Sequence, residues 1–334
     1  MLFRGIELHN VRELVYNEES GGYKMSRMPM RVAEKMTANT FADAGVELRF
    51  VPISDEVKIK IKKSGAGVSR VVIFYGSIQS GWQNLYKAIY DEPTEIVIPR
   101  SKRIDTLHEI TRQNDFPYSP EVVRVVLQNA AYEIYDVIGE CVPPTPDMLP
   151  KKKYLAYGSS ITHGSLAVIQ QNTYVFRIGE HFNADPLNFG FAGNACLEPE
   201  VADYIADECE FDFATLELGI NLLNKIEVDE FEKRVRYFVK RIAEAHPESK
   251  IFCTDIFYMS ADITELNNPE SKPNRFRKVV KDVTAEFNLQ NVIYLPGLSI
   301  MNGSRYLSED TTHPNARGVE EISRNFISYM ERCL

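Results

Sequence analysis

The chain has 334 residues, enough for about two domains at ~150 residues each, and its 44% hydrophobic content can fill sizeable cores. A formal net charge of −9 argues against a nucleic-acid or anionic-membrane partner, because those surfaces call for a basic patch. Met1-Leu2-Phe3-Arg4-Gly5-Ile6-Glu7 lacks the apolar core of a secretory leader, and no run approaches the ~20 apolar residues of a membrane span. The five cysteines, Cys141, Cys196, Cys209, Cys253 and Cys333, are scattered without a C-x-x-C pair. Reduced thiols in a cytoplasmic protein are the expectation, with no zinc site.

The first part of the chain is patterned as β-structure. Val46, Leu48 and Phe50 alternate with other residues, and Val57, Ile59 and Ile61 alternate with Lys58, Lys60 and Lys62. This period of two predicts strands with one wet face. Further strands are expected over Val71 to Tyr75, Glu95 to Ile98, Val122 to Leu127 and Tyr132 to Ile138. Many strands and few helical patterns suggest a β-sandwich or jelly roll. Trp82, the only tryptophan, fits core packing in this domain, or else a sugar-stacking platform. The proline-rich segment Cys141 to Pro150 reads as a stiff extended linker. The domains expected are therefore residues 1–145, all-β, and 146–334, α/β.

In the second part, short apolar strands alternate with amphipathic helices. Strands are predicted over Tyr154 to Tyr157, Ala214 to Leu218, Ile251 to Phe257 and Val292 to Leu295. Phe231, Val235, Phe238 and Ile242 share one helix face, as do Phe276, Val280, Val283 and Phe287. A final helix after Pro314 carries Val319, Ile322, Phe326 and Met330. His181 is expected at the core edge of a helix with Tyr174, Ile178 and Phe182. Strands alternating with helices imply a parallel sheet covered on both faces, with ligands beyond its carboxyl edge.

Four segments carry the chemistry, and Ser160, Gly193 and Asn221, each just after a predicted strand, are expected to converge on that edge. Gly158-Ser159-Ser160-Ile161-Thr162-His163-Gly164 follows the first strand, and Asn188 to Asn194 is a glycine-bounded loop. Leu218-Gly219-Ile220-Asn221 ends another strand, and Asp310-Thr311-Thr312-His313-Pro314-Asn315 precedes the last helix. A serine hydroxyl needs an adjacent base to attack at neutral pH, and histidine suits that task. Asp310, three residues before His313, is placed to fix the imidazole tautomer. The backbone N–H groups of Ser160 and Gly193 and the Asn221 side chain are candidate oxyanion donors. Together these residues are the parts for ester hydrolysis.

The four blocks, in this order, resemble the SGNH/GDSL hydrolase superfamily. The resemblance implies a three-layer α/β/α domain with Ser160 as nucleophile, Asp310 and His313 as its partners, and Gly193 and Asn221 in the oxyanion hole. The β-rich first domain and the run Gly190 to Glu200 also resemble two-domain members that are carbohydrate esterases. That likeness implies a short acyl ester, acetyl foremost, on a carbohydrate, with no metal or organic cofactor. Two positions depart from the family pattern. Ser159 stands where the first block usually has Asp, and Leu222 follows Asn221 where Asp is common.

Other readings stay open at this point. Ser159 is a rival nucleophile and His163 a rival base or a pocket wall. Glu198 begins a helix or touches substrate. A lipid- or thioester-directed acylhydrolase, or an inactive carbohydrate-binding protein on the same fold, would carry the same patterns. Oligomerisation is open. No His, Asp and Glu cluster has metal-ligand spacing.

Overall fold

The computed structural model describes residues 1–84, 86–128 and 130–334. The chain divides into two compact units, and each is described by itself. One comprises Met1–Met30, Asn39–Lys151 and Asn183–Asp185; the other comprises Arg31–Ala38, Lys152–Phe182 and Pro186–Leu334.

The first unit holds an eight-stranded and a five-stranded sheet. Pairing within both is antiparallel, as in Val123–Leu127 against Ser69–Tyr75 and Tyr132–Ile138 against Glu56–Lys63. One apolar cluster joins Leu48, Phe50, Ile73 and Val125 of the larger sheet to Val57, Ile59, Ile61 and Ile134 of the smaller. A core shared between two antiparallel sheets is a β-sandwich. The helix Ile104–Asn114 is not among the sequence-based expectations, although Ile104, Leu107 and Ile110 recur at helical spacing; none of its residues is fully buried.

Three expectations change here. The strand carrying Leu48 and Phe50 has no wet face, because Glu47 and Arg49 are buried too. Trp82 is 94% exposed, on a short 3-10 turn, and packs in no core. The proline-rich segment is not a plain extended linker. Cys141–Val142 pairs with Val51 and Pro52, and Pro146–Met148 forms a 3-10 turn.

The second unit is a sheet flanked by helices. Its strands are β1 (Lys152–Gly158), β2 (Ala184–Gly190), β3 (Phe213–Glu217), β4 (Lys250–Thr254) and β5 (Val292–Leu295). They lie in the order β2-β1-β3-β4-β5, and the ladders from β1 through β5 are parallel. The helices used below are α1 (Ser160–His163), α2 (Tyr174–His181), α3 (Pro199–Glu208), α4 (Val228–Ala245), α5 (Lys272–Phe287) and α6 (Ala316–Met330). Phe231, Val235, Phe238 and Ile242 are wholly buried on α4, and Phe231 stacks on Phe276 of α5 with ring centroids 4.1 Å apart. Val319, Ile322, Phe326 and Met330 are buried on α6. The fold is α/β, with the layered sheet the helical and strand periods imply.

Details differ from the pattern. β2 runs through Gly190, so half of the expected glycine-bounded loop is strand. β4 stops at Thr254, short of Phe257. The carbonyls of Ile256 and Phe257 are instead bonded by Arg277, whose guanidinium also pairs with Asp262. His181 is exposed and bonds Glu331 at 2.9 Å, so it does not edge the core. Among the described residues no helix is long and apolar enough to cross a membrane.

Candidate active site

The sheet order reverses between β1 and β3, because β2 returns on one side and β3 on the other. In such sheets the crevice beyond the strand ends at this switch is where ligands bind. Ser160 follows β1, Gly193 follows β2 and Asn221 follows β3.

Ser160 opens α1, whose N-cap is Ser159; the Ser159 hydroxyl accepts the Ile161 N–H at 3.1 Å. Gly164 ends the turn with φ +103°, a left-handed conformation that glycine adopts without strain. Ser160 Oγ lies 2.7 Å from His313 Nε2, and His313 Nδ1 lies 2.6 Å from Asp310 Oδ2. Asp310 Oδ1 accepts the backbone N–H groups of His313 at 2.9 Å and Thr312 at 3.0 Å, and the Ser308 hydroxyl at 2.7 Å. Partial burial opposes the charge on Asp310, but these donors outweigh it and hold the carboxyl well below the usual range. An ionised Asp310 accepts a hydrogen bond from Nδ1–H, which keeps that proton on Nδ1 and leaves Nε2 as the acceptor facing the Ser160 hydroxyl.

The His313 loop is built to stay in place. Thr311 holds φ +58°, an uncommon backbone for a β-branched residue, and its carbonyl accepts the Ser260 N–H at 2.9 Å. Asn315 donates to the carbonyls of Arg305 and Leu307 and caps α6 by accepting the Arg317 and Gly318 N–H groups. One side chain thus ties the loop to the helix behind it.

The second wall is the segment after β2. A Cβ at Gly190 would stand 2.2 Å from the His163 backbone nitrogen, so glycine permits this strand end to touch α1. Phe191 N–H bonds the Gly158 carbonyl at 2.8 Å. Farther on, Ala195 N–H donates to Asn221 Oδ1 at 3.0 Å and Leu197 N–H to the Tyr157 hydroxyl at 2.9 Å. Gly193 has φ +74° and nothing near its Cα on the side-chain face. Lys225 Nζ donates to the Gly193 carbonyl at 2.8 Å, and Arg234 donates to the Cys196 carbonyl at 3.1 Å. The Asn221 side-chain oxygen is thereby committed to the loop. Among the described residues no hydrogen bond uses the N–H of Ser160, the N–H of Gly193 or the Asn221 amide nitrogen. Donors that are fixed yet unpaired suit a charge that appears only during reaction.

The remaining candidates are placed as follows. Ser159 is 1% exposed, and its hydroxyl lies within 2.8 Å of both Glu217 carboxylate oxygens. His163 is buried, with Nδ1 3.2 Å from the Gly190 carbonyl, while Ser160 Oγ bonds His313. Glu198 is the buried N-cap residue of α3, and burial pushes its carboxyl up against the pull of nearby backbone N–H groups. Leu222 is 1% exposed and packs as an apolar residue. Two residues escaped the sequence reading. Glu217 is a lone acid inside the apolar run Ala214 to Leu218, a signal that was present. Lys225 had no distinguishing pattern. Among the described residues no cluster of His, Cys, Asp and Glu could hold a metal.

No curated protein matches the sequence. Among solved structures, the salicylyl-acyltransferase SsfX3 from a tetracycline biosynthetic pathway is 18% identical, with a TM-score of 0.74 over 98% of this chain and 95% of that one. A family two carbohydrate esterase from Cellvibrio japonicus is 12% identical, with a TM-score of 0.65 over 99% and 95%. The acetyl xylan esterase Est2A from the rumen bacterium Butyrivibrio proteoclasticus is 10% identical, with a TM-score of 0.56 over 100% and 97%. At these identities the likeness is one of fold. The model of the GDSL-like lipase/acylhydrolase family matches residues 151–330, more than half of the chain. The chain belongs to the GDSL-like lipase/acylhydrolase family and is an enzyme of carboxylic ester chemistry.

Proposed function

We propose that the chain is a serine esterase that removes short acyl groups, acetyl foremost, from a carbohydrate ester. The observation that carries this reading is the pair of short contacts from Ser160 Oγ to His313 Nε2, 2.7 Å, and from His313 Nδ1 to Asp310, 2.6 Å. Ser160 attacks the ester carbonyl as His313 takes its proton, and Asp310 stabilises the imidazolium. The N–H groups of Ser160 and Gly193 and the Asn221 amide receive the oxyanion. The imidazolium then protonates the leaving alcohol. Water, deprotonated by His313, attacks the acyl-enzyme and frees Ser160. This sequence needs no metal and no organic cofactor. The carbohydrate substrate is supported by the esterases among the structural neighbours, and a reducing, cytoplasmic location by the free thiols.

The test is hydrolysis of p-nitrophenyl acetate, butyrate and octanoate, and of acetylated xylan, by wild type and Ser160→Ala. Acetate preferred, and turnover abolished in Ser160→Ala, is the expected result. Preference for octanoate would favour a lipid-directed acylhydrolase, and full activity in Ser160→Ala would end the reading of Ser160 as nucleophile.

A second reading is acyl transfer, favoured by the likeness to an acyltransferase along nearly the whole chain. There the acyl-enzyme passes its acyl group to an acceptor hydroxyl. Product analysis with sugar alcohols present separates the two: acylated alcohol marks transfer, and free acid alone marks hydrolysis.

A further inference from the structure

Directly beneath the Ser160 turn lies a carboxylate that the mechanism above does not use. Glu217 ends the central strand β3 and is 3% exposed. Its Oε2 accepts the Ser159 backbone N–H at 2.8 Å and the Thr162 hydroxyl at 2.9 Å. The Ser159 hydroxyl, 2.8 and 2.7 Å from the two carboxylate oxygens, donates to it as well. The same Ser159 oxygen accepts the Ile161 N–H, and Thr162 Oγ1 lies 2.6 Å from the Tyr174 hydroxyl. With the Thr162 proton committed to Glu217, Tyr174 is the donor in that last pair. Residues on both sides of Ser160 are therefore tied to one side chain, while the Ser160 N–H and hydroxyl are left for chemistry.

Two further observations mark this as a built arrangement. A Cβ at Gly158 would stand 2.6 Å from Glu217 Oε2 and 2.1 Å from Thr162 Oγ1, so only glycine allows so close an approach. Among the described residues the hydrogen-bond partners of Glu217 are all neutral, and burial pushes its carboxyl up against them. An acid placed in the interior without a cation is costly to the fold, and such a cost persists where geometry is needed.

We propose that Glu217 is a positioning residue for the attack of Ser160 on the acyl group: it fixes the turn from Ser159 to Thr162 so that Ser160 Oγ stays on His313 Nε2. Position 159 is serine where the resembled family has aspartate, and here the acid reaches the loop from the neighbouring strand through the Ser159 hydroxyl. The inference rests on the reading of Ser160 as the nucleophile.

The experiment compares Ser160→Ala, Glu217→Gln and Thr162→Val by kcat and KM for p-nitrophenyl acetate. Labelling rate with a fluorophosphonate and thermal unfolding are followed in parallel. Glu217→Gln is expected to lower kcat and labelling rate together, roughly 10- to 100-fold, with KM little changed, because a nucleophile displaced by an ångström loses rate on that order. Thr162→Val, which removes one donor, lowers both by less. The double variant Ser159→Asp/Glu217→Gln, which returns a carboxylate to the loop, regains part of the loss. Unchanged kcat and labelling in Glu217→Gln would overturn the proposal, and so would a lower melting temperature with full kcat per labelled site. Where Glu217→Gln does not fold, Thr162→Val and Ser159→Ala decide by the same two rates, and wild-type rates in both overturn it. Turnover retained in Ser160→Ala would remove the underlying reading whatever Glu217→Gln does. An inert Ser160→Ala beside a fully active Glu217→Gln would remove this inference alone.

Discussion

Glu47 in the β-rich unit and Glu217 in the α/β unit are both buried, yet their surroundings are opposite. Glu47 meets two guanidiniums: Arg124 Nε and Arg49 Nε each lie 2.7 Å from Oε2. Arg124 in turn lies over the Tyr118 ring, 3.8 Å from its centroid. Burial opposes ionisation of Glu47, but Arg124 and Arg49 outweigh it and pull its carboxyl down to about 2. Glu217 meets hydroxyls and a backbone N–H, and burial raises it. Asp255, just past β4, is similar: burial pushes it up to about 6, against donation from Tyr294 and the Gly297 N–H. The α/β unit carries many exposed ion pairs, and among its described buried acids Asp262 is paired with a cation, Arg277. The lesson is one of purpose. Paired charges secure a fold, whereas acids held by neutral donors set the positions of loops at the carboxyl edge of the sheet.

The comparison can be broken most forcefully in the β-rich unit. Arg124→Ala leaves Glu47 short of its bidentate partner and should cost about 3–5 kcal/mol, read from urea unfolding. No comparable loss there would mean the pairing is dispensable. On the other side, Asn221→Ala should leave the fold nearly intact and slow kcat by roughly 10²-fold or more, about 3 kcal/mol of barrier, read with p-nitrophenyl acetate.

Titration sharpens the contrast because the signs differ. Glu47 is depressed in the folded state, so its contribution is complete above its ordinary 4.5 and is lost as pH falls toward about 2. Asp255 is raised from 3.8 to about 6, so the folded state binds its proton more tightly, and stability declines as pH climbs through that window. Asp255→Asn should flatten that decline and, above pH ~6, gain ~2 kcal/mol, measured as unfolding midpoints across the range. The smallest effect belongs to Trp82→Ala. Its ring is 94% exposed, so stability should stay within ~0.5 kcal/mol, and only a raised KM for acetylated xylan would give the ring a part in sugar binding.

What the sequence made legible follows from what a one-dimensional pattern encodes. The run from Val57 to Lys62 has a true inside and outside, and the helix carrying Phe231 and Phe238 has a true buried stripe, so their periods read correctly. The strand with Leu48 and Phe50 misled because alternation cannot separate solvent from a second buried layer, here one holding Glu47 and Arg49. Cys141–Val142 was missed as a strand because pairing with distant Val51 and Pro52 outweighs the local effect of the prolines that follow. Ser160, Asp310 and His313 were visible as residue types at strand and helix ends, and their meeting is a property of the sheet order. The contribution of Glu217 was harder to read. A glutamate in an apolar strand signals an exception, but only the fold places its carboxylate under the Ser160 turn.

The most direct measurement is peptide mapping by mass spectrometry after reaction of the wild-type protein with a fluorophosphonate. The account predicts one adduct per chain, on Ser160, and none in Ser160→Ala. An adduct on Ser159, or a folded protein that takes up no label while still cleaving esters, would contradict it.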